Sequence, residues 1–180
     1  MKIKKDIIYI LTITLLLAAC GQLYYTHHYL PYHETTVYYN QEHELNKEII
    51  NTIKNADTFV YFAIYTFTKT DIEDALLAAK YRGLEVVGIT DTQQYSTLPA
   101  QKKIVDELRS HDIPVYEQNH TGIMHMKTVV TEKAYASGSY NWTASATNIN
   151  DEVLEVSTNP TLRQEYQNIL QTLFQKYGIQ

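Results

Sequence analysis

The residues able to do chemistry are concentrated between Gly122 and Glu152, in GIMHMKTVVTEKAYASGSYNWTASATNINDE. His125 and Lys127 are two apart, so on an extended strand their side chains share a face while Met126 and Thr128 take the other. An imidazole beside an ammonium combines a nucleophile or proton carrier with a binder of phosphate charge. After a turn near Glu132 and Lys133, a second run from Ala134 to Ser137 is placed to return antiparallel, and it delivers Gly138-Ser139-Tyr140-Asn141. Ser139 and Asn141 again share a face, offering a hydroxyl and an amide to the oxygens that His125 and Lys127 approach. Phosphoryl chemistry needs such a group: a nucleophile, a cation, and neutral donors where charge develops. Taken singly, His125 reads as a structural histidine, Lys127 as a solvated strand residue and Asn141 as a turn residue. The joint spacing is what points to a site.

The surrounding sequence must supply elements that hold this group. From Thr35 onward short β-type runs alternate with helical patterns, the arrangement of an α/β sandwich. Residues 35–39 form a candidate strand, and Leu45, Ile49, Ile50 and Ile53 line one face of a helix over 41–55. The run TFVYFAIYTF, residues 58–67, predicts a central strand buried on both faces. Thr70 or Asp71 can cap a helix that ends at Gly83, and LEVVGIT over 84–90 is the next strand, which implies a parallel crossover. Asp91 ends that strand, at the edge where open α/β sheets place ligands, and is expected as a turn or helix cap. Residues 91–98 read as a polar loop, 100–110 as a helix, 113–116 and 154–156 as short strands, and Pro160 starts a terminal helix. No segment is repeated. His120 is expected as a loop histidine, and the sequons at Asn119 and Asn141 as coincidences.

His125-x-Lys127, followed after four residues by the acidic Glu132 and then by Gly138-Ser139-x-Asn141, resembles the HxKxxxxD and GSxN signature of the phospholipase D superfamily. Tyr65-Thr66-Phe67-Thr68 with the helix after it, Arg82-Gly83 before a strand, and Asn150-x-Glu152 are similar to the small single-motif bacterial nucleases of that superfamily. The resemblance implies a phospholipase D-like sandwich, a mixed and mostly parallel sheet flanked by helices. It implies that His125 attacks phosphorus to form a phosphohistidine, that Lys127, Ser139 and Asn141 hold the phosphate, and that Glu152 orients and polarises a catalytic imidazole. Glu132 stands where the motif has aspartate, a position expected to support structure, and Val153 stands where the family often has asparagine. Full members use two histidines, one as nucleophile and one as general acid. With one motif and no repeat, the resemblance implies a symmetric homodimer with a shared active site, in which two copies of His125 divide those roles. Two copies of Lys127 would supply the charge stabilisation, so no metal or other cofactor is expected.

The chain has 180 residues, enough for one such domain. It opens with Lys2, Lys4 and Lys5 ahead of an apolar run from Ile7 to Ala19, the form of a secretory signal. Leu17-Ala18-Ala19-Cys20-Gly21 resembles the lipobox of bacterial lipoproteins. The expected organisation is therefore a signal peptide over 1–19, a lipidated Cys20 and tether over 20–34, and a catalytic domain over 35–180. An ordinary signal followed by a buried free cysteine, or an uncleaved anchor, are the alternatives. The expected location is a membrane-anchored lipoprotein of the cell envelope or outer surface, with a secreted or periplasmic protein as the alternative. His27, His28 and His33 have no acidic or cysteine partner at ligand spacing and read as part of an aromatic linker. The single cysteine excludes an intramolecular disulfide framework and multi-cysteine zinc sites.

Fifteen basic against twenty acidic side chains give a net charge of -5. Loss of residues 1–19 would remove Lys2, Lys4, Lys5 and Asp6, leaving 12 against 19 and a net charge of -7. There is no general basic surface, so any phosphate chemistry must use a local patch, such as a groove lined by Lys127 and Lys133. The function expected from the resemblance is a metal-independent, non-specific endonuclease acting on nucleic acid. A phospholipase D acting on phospholipid headgroups is the enzymatic alternative, and a catalytically silent surface-anchored binding domain is the third reading.

Overall fold

The computed structural model describes residues 2–29 and 33–178, in two units that divide between Tyr32 and His33. The first unit is one helix, α1 (Lys2–Tyr29). Its stretch Ile7–Tyr24 is long and apolar enough to cross a membrane, a property that signal sequences share. Thr12 and Thr14 are accommodated within it because their hydroxyls donate to the carbonyls of Ile8 and Ile10. Residues 21–29, expected as irregular tether, continue the helix; residues 30–32 of that tether lie outside the described residues.

The second unit contains β1 (Thr35–Tyr39), α2 (Leu45–Lys54), β2 (Phe59–Ile64), α3 (Thr70–Tyr81), β3 (Glu85–Asp91), α4 (Thr92–Thr97), α5 (Pro99–Ser110), β4 (Val115–Gln118), β5 (Lys127–Thr131), β6 (Tyr135–Gly138), α6 (Ala144–Asn148), β7 (Val153–Ser157) and α7 (Pro160–Gly178). The strands form one mixed sheet in the order β1-β7-β6-β5-β2-β3-β4. Strand β2 is central, and its side chains alternate into two cores. Val60, Phe62 and Ile64 join Ile49, Ile53, Leu76, Val105 and Leu108 from α2, α3 and α5. Tyr61 and Ala63 join Ile89, Val130, Tyr135 and Leu170 on the α7 side. Burial on both faces is what the unbroken apolar run of β2 requires.

The sheet is mixed, as expected, but its balance is not mostly parallel. Only β2 with β3 and β3 with β4 pair parallel, whereas β1 with β7, β7 with β6, β6 with β5 and β5 with β2 pair antiparallel. The reason lies in the connections. Parallel neighbours need a helical crossover, which α3 and α5 supply, while β5 and β6 are joined by a tight turn. In that turn Thr131 Oγ1 accepts from the main-chain N–H groups of Lys133 and Ala134 at 3.2 and 3.1 Å. Two short helices add to the expected elements, each started by a local cap. Residues 92–97 are helical rather than looped, with Asp91 as N-cap, and α6 forms after Thr143 accepts a cap bond from Ala146 N. Gly83, at the end of α3, has φ +89°, the left-handed conformation that favours glycine there.

Candidate active site

The site is assembled at one edge of the sheet, where β2 and β6 end and β5 and β7 begin. Two pairings outside the strands lock these ends together. Thr68 N and Lys69 N donate to Trp142 O at 2.8 and 3.1 Å, and Trp142 N donates to Thr66 O at 3.0 Å. The fully buried Trp142 ring meets Phe67 edge-on at 4.9 Å and Phe62 at 5.7 Å, anchoring the turn that carries Asn141 in the larger core. Asn141 Oδ1 accepts from Thr66 N at 3.2 Å, which leaves its Nδ2 as the outward donor.

His125 precedes β5 and is exposed, while Lys127 opens the strand and is buried to 5% exposure. The expected common face is present, with Val129 continuing it into the larger core and Val130 turned to the other. Lys127 Nζ donates to His125 O at 2.7 Å and stands 5.2 Å from the centre of the Tyr65 ring. The same ring lies 4.8 Å from the His125 imidazole at 60°. Burial pushes the Lys127 ammonium below its ordinary pKa, and the Glu152 carboxylate partly restores it. Lys127 therefore offers a desolvated positive charge, the form in which it interacts most strongly with an incoming anion.

Ser139 and Glu152 meet directly, the hydroxyl donating a short hydrogen bond to Oε2, while Asn150 Nδ2 donates to Oε1 at 3.0 Å. Val153 N donates to Ser139 Oγ, and Ser139 N to Val153 O, both at 3.1 Å. Asn40 completes this corner: its Oδ1 accepts from Glu152 N at 3.0 Å and its Nδ2 donates to Asn150 O at 2.6 Å. Glu152 thus binds Ser139 and Asn150 of its own chain and not its own His125 ring. His125 and Lys127 meet at Tyr65, Asn141 is held by the neighbouring Thr66, and Glu152, bonded to Ser139, acts on the Lys127 charge, so that an imidazole, an ammonium, an amide, a hydroxyl and a carboxylate are linked at this edge. Among the described residues, no three His, Cys, Asp or Glu side chains are arranged to hold a metal ion.

Glu132 and Lys133 do not belong to this constellation. They follow the far end of β5, which at its rise per residue puts Glu132 roughly 17 Å from Lys127. Glu132 Oε1 accepts from Asp57 N at 2.7 Å, and Oε2 from Thr58 N, Thr58 Oγ1 and Phe59 N at 3.3, 3.0 and 3.4 Å, so its carboxylate gathers the start of β2. Lys133 is paired with Asp57 at 2.5 Å and cannot line a groove at the site. Cys20 lies on α1 as a free, exposed thiol.

Three residues that the spacing argument did not select also meet the site. Tyr65 was visible within the apolar run and in the Tyr65-Thr66-Phe67-Thr68 segment, but with no role of its own. Gln94 reaches the Tyr65 hydroxyl from α4 at 3.2 Å. Asp91, expected as a cap, also accepts from Met124 N at 3.0 Å. Their roles depend on contacts across strands, which no local spacing encodes.

Residues 49–174 match the family model for the phospholipase D-like domain of cardiolipin synthase. Curated relatives include a mitochondrial cardiolipin hydrolase of Xenopus tropicalis, 30% identical over 115 residues, or 63% of this chain and 53% of that protein. A phospholipase D of Rickettsia felis is 30% identical over 121 residues, or 67% of this chain and 59% of the relative. The chain thus spans little more than half the length of these relatives. Among solved structures, Nuc of Salmonella typhimurium, a phospholipase D family member, superposes with a TM-score of 0.73 at 27% identity, covering 78% of this chain and 93% of Nuc. NucT of Helicobacter pylori shares the fold, with a TM-score of 0.73 at 24% identity, covering 80% and 97%. The family match takes in every strand from β2 to β7 and all five residues at the sheet edge, and the chain belongs to the phospholipase D-like family.

Proposed function

We propose that this protein is a phosphodiesterase that works through a covalent phosphohistidine on His125. The observation that carries the reading is the placement of the exposed His125 ring and the buried Lys127 ammonium at the Tyr65 ring, 4.8 and 5.2 Å from its centre, with the Asn141 amide on the adjoining turn. In the first step a ring nitrogen of His125 bonds to phosphorus as the bond to the leaving oxygen breaks. Lys127 and Asn141 Nδ2 take up the charge on the non-bridging oxygens, and the Ser139 hydroxyl, whose one proton is held by Glu152, joins them only when it turns from that carboxylate to the phosphate. A second imidazole, from His125 of a second copy related by a two-fold axis, gives its proton to the leaving oxygen. It then takes a proton from the water that cleaves the phosphohistidine, returning both histidines to their starting states. Glu152 fixes the Ser139 hydroxyl and acts on the imidazole from the partner side.

Nucleic acid is the first substrate reading. The site is open at the sheet edge, and the domain matches Nuc over nearly all of that protein's length. Phospholipid headgroups are the second, favoured by a specific observation: the stretches around the site, residues 65–69, 92–98, 119–126 and 139–150, contain one lysine, Lys69, which is paired with Asp71 at 3.4 Å, and no arginine with which to track a polyanion. The names of the curated relatives point the same way. The soluble domain, with a His125→Ala control, is to be assayed in EDTA on plasmid DNA and on phosphatidylcholine vesicles. Turnover of one substrate that disappears in the control supports the corresponding reading, and activity retained by His125→Ala would overturn the mechanism. We further read residues 1–19 as an export signal and Cys20 as the lipid attachment point that holds the domain at a membrane. Mass spectrometry of the mature N-terminus tests this, since an unmodified internal Cys20 contradicts it.

A further inference from the structure

We propose that Asp91 is a positioning residue of the site, a buried carboxylate that holds His125 from two directions. The inference rests on the reading of His125 as the nucleophile. Asp91 ends β3 at 1% exposure. Its Oδ2 accepts from the main-chain N–H of Met124, the buried residue directly before His125, at 3.0 Å. Its Oδ1 accepts from Gln94 N at 2.9 Å. The Gln94 side chain then donates to the Tyr65 hydroxyl at 3.2 Å and accepts from Thr66 Oγ1 at 3.1 Å. Tyr65 lies against both His125 and Lys127, and Thr66 N holds the Asn141 side chain. One carboxylate therefore fixes the backbone entering His125 and, through Gln94, the ring on which the imidazole rests.

Helix capping alone does not account for this group. The helix it caps has six residues, none of them buried, and a serine, threonine or asparagine caps equally well with one acceptor. A buried carboxylate is costly unless both oxygens are satisfied, and here the second oxygen is satisfied by the histidine segment. Aspartate is the small side chain whose two oxygens are both acceptors, so it can receive two main-chain N–H groups at once. In an asparagine, the amide NH2 would face one of those N–H groups, and that arm of the support would open.

The test compares Asp91→Asn, Gln94→Ala, Tyr65→Leu and Tyr65→Phe with wild type on bis(p-nitrophenyl) phosphate at 25 °C. Leu170→Ala, a core change under α7, serves as a control for lost stability. Asp91→Asn and Tyr65→Leu are expected to lower kcat by about 10- to 100-fold with KM within about threefold, the size of effect produced by misplacing a reacting group by about an ångström. Tyr65→Phe, which keeps the ring but loses the hydroxyl that Gln94 holds, is expected to fall between wild type and Tyr65→Leu, with a loss similar to that of Gln94→Ala. Asp91→Asn combined with Tyr65→Leu is expected to cost clearly less than the product of the separate losses, because both act on one imidazole. Unchanged kcat in Asp91→Asn, or a loss no larger than that of Leu170→Ala at equal loss of Tm, would overturn the proposal. If Asp91→Asn does not fold, Gln94→Ala and Tyr65→Leu decide, and wild-type kcat in both would refute the relay. His125→Ala separates the levels: if it is active, the nucleophile reading fails and this inference with it, whereas if it is inactive while the Asp91 and Tyr65 variants match wild type, only the positioning role fails.

Discussion

Gly138→Ala should damage both the fold and the site, and the structure says by how much. Gly138 does not have a positive φ, so its need for glycine is steric rather than conformational. A Cβ there would fall deep inside the contact distance of Val153 O, with Val153 C at 3.0 Å and Leu154 Cα at 3.1 Å. Carbon atoms pack best at about 3.5–4.0 Å, so β7 would have to retreat by roughly 1 Å. The atoms in the way are backbone and cannot rotate aside. That retreat stretches the two 3.1 Å hydrogen bonds between Ser139 and Val153 beyond bonding distance. Two lost hydrogen bonds at about 1 kcal/mol each, with about 1 kcal/mol of residual overpacking, give a destabilisation of about 3 kcal/mol. For a domain of this size the Tm should fall by roughly 6–12 °C. The same movement displaces Glu152 and the Ser139 hydroxyl, and an ångström of misplacement costs on the order of 100-fold in rate. Thermal unfolding followed by circular dichroism and initial rates on bis(p-nitrophenyl) phosphate measure the two effects. A Tm within 2 °C of wild type would refute the packing argument. A lowered Tm with unchanged kcat would break the link from the β6–β7 contact to catalysis.

Three further outcomes follow from individual side chains. Burial holds Lys127 below its ordinary pKa while Glu152 raises it, so Glu152→Gln should lower it further and move the alkaline limb of kcat/KM to lower pH; an unmoved or raised limb contradicts this. Because the folded-state pKa of Lys127 is depressed, burying its charged form costs stability at neutral pH, and that cost is relieved as pH rises from the folded pKa toward 10.5. Lys127→Met should therefore abolish turnover at pH 7 without lowering Tm, and a clear drop in Tm would show that the ammonium is a net stabiliser. Burial, the largest influence on Glu132, acts to raise its pKa, but donors from Asp57 and Thr58 outweigh it and hold the carboxyl below its ordinary range. Its stabilisation is present above pH 4.5 and is lost as pH falls through the folded pKa. Glu132→Ala should cost about 1–3 kcal/mol in urea unfolding at pH 7 and leave kcat within a few-fold at 25 °C, and Glu132→Asp should remain active; a large loss of kcat in either would place Glu132 in the site.

What was legible in the sequence was whatever repeats at short range. The unbroken apolar run marked β2 as doubly buried, and a spacing of two placed together His125 and Lys127, which both meet the Tyr65 ring. The balance of parallel and antiparallel pairing was not legible. It depends on β7 lying between β1 and β6, a neighbourhood made by residues more than a hundred positions apart, such as Thr35 opposite Ser157. Gly138 was read as part of a motif, but its reason is the carbonyl of Val153 on the next strand. Tyr65 escaped for a similar reason: as one aromatic of a buried run it looks like core, and only the entry of β5 alongside β2, with Tyr65 N donating to Met126 O at 2.9 Å, brings its ring to His125. Asp91 shows the limit of local reasoning most clearly, since the cap was readable three residues ahead and the bond to Met124 lies thirty-three residues away.

The acidic balance of the chain and a site for phosphodiesters are compatible because they act over different distances. A net charge of -5 spread over the chain is screened within about 8–10 Å at physiological salt. The Lys127 ammonium is buried where its field is least weakened, and it is framed by neutral donors and an aromatic face. The burial that depresses its pKa is therefore the same feature that strengthens its hold on one phosphate. Lys133 is held by Asp57 at the far end of β5, and Lys69, whose main-chain N–H donates to Trp142 O next to Asn141, is held by Asp71 at 3.4 Å, so neither of these two extends the positive charge of Lys127 along a strand of phosphates. With the roles proposed for His125 and Lys127, such a site grips a single phosphodiester at the point of reaction and contributes little to holding the rest of a polymer. It suits brief encounters with an exposed phosphate, whether that phosphate is carried by a nucleic acid strand or by a lipid headgroup.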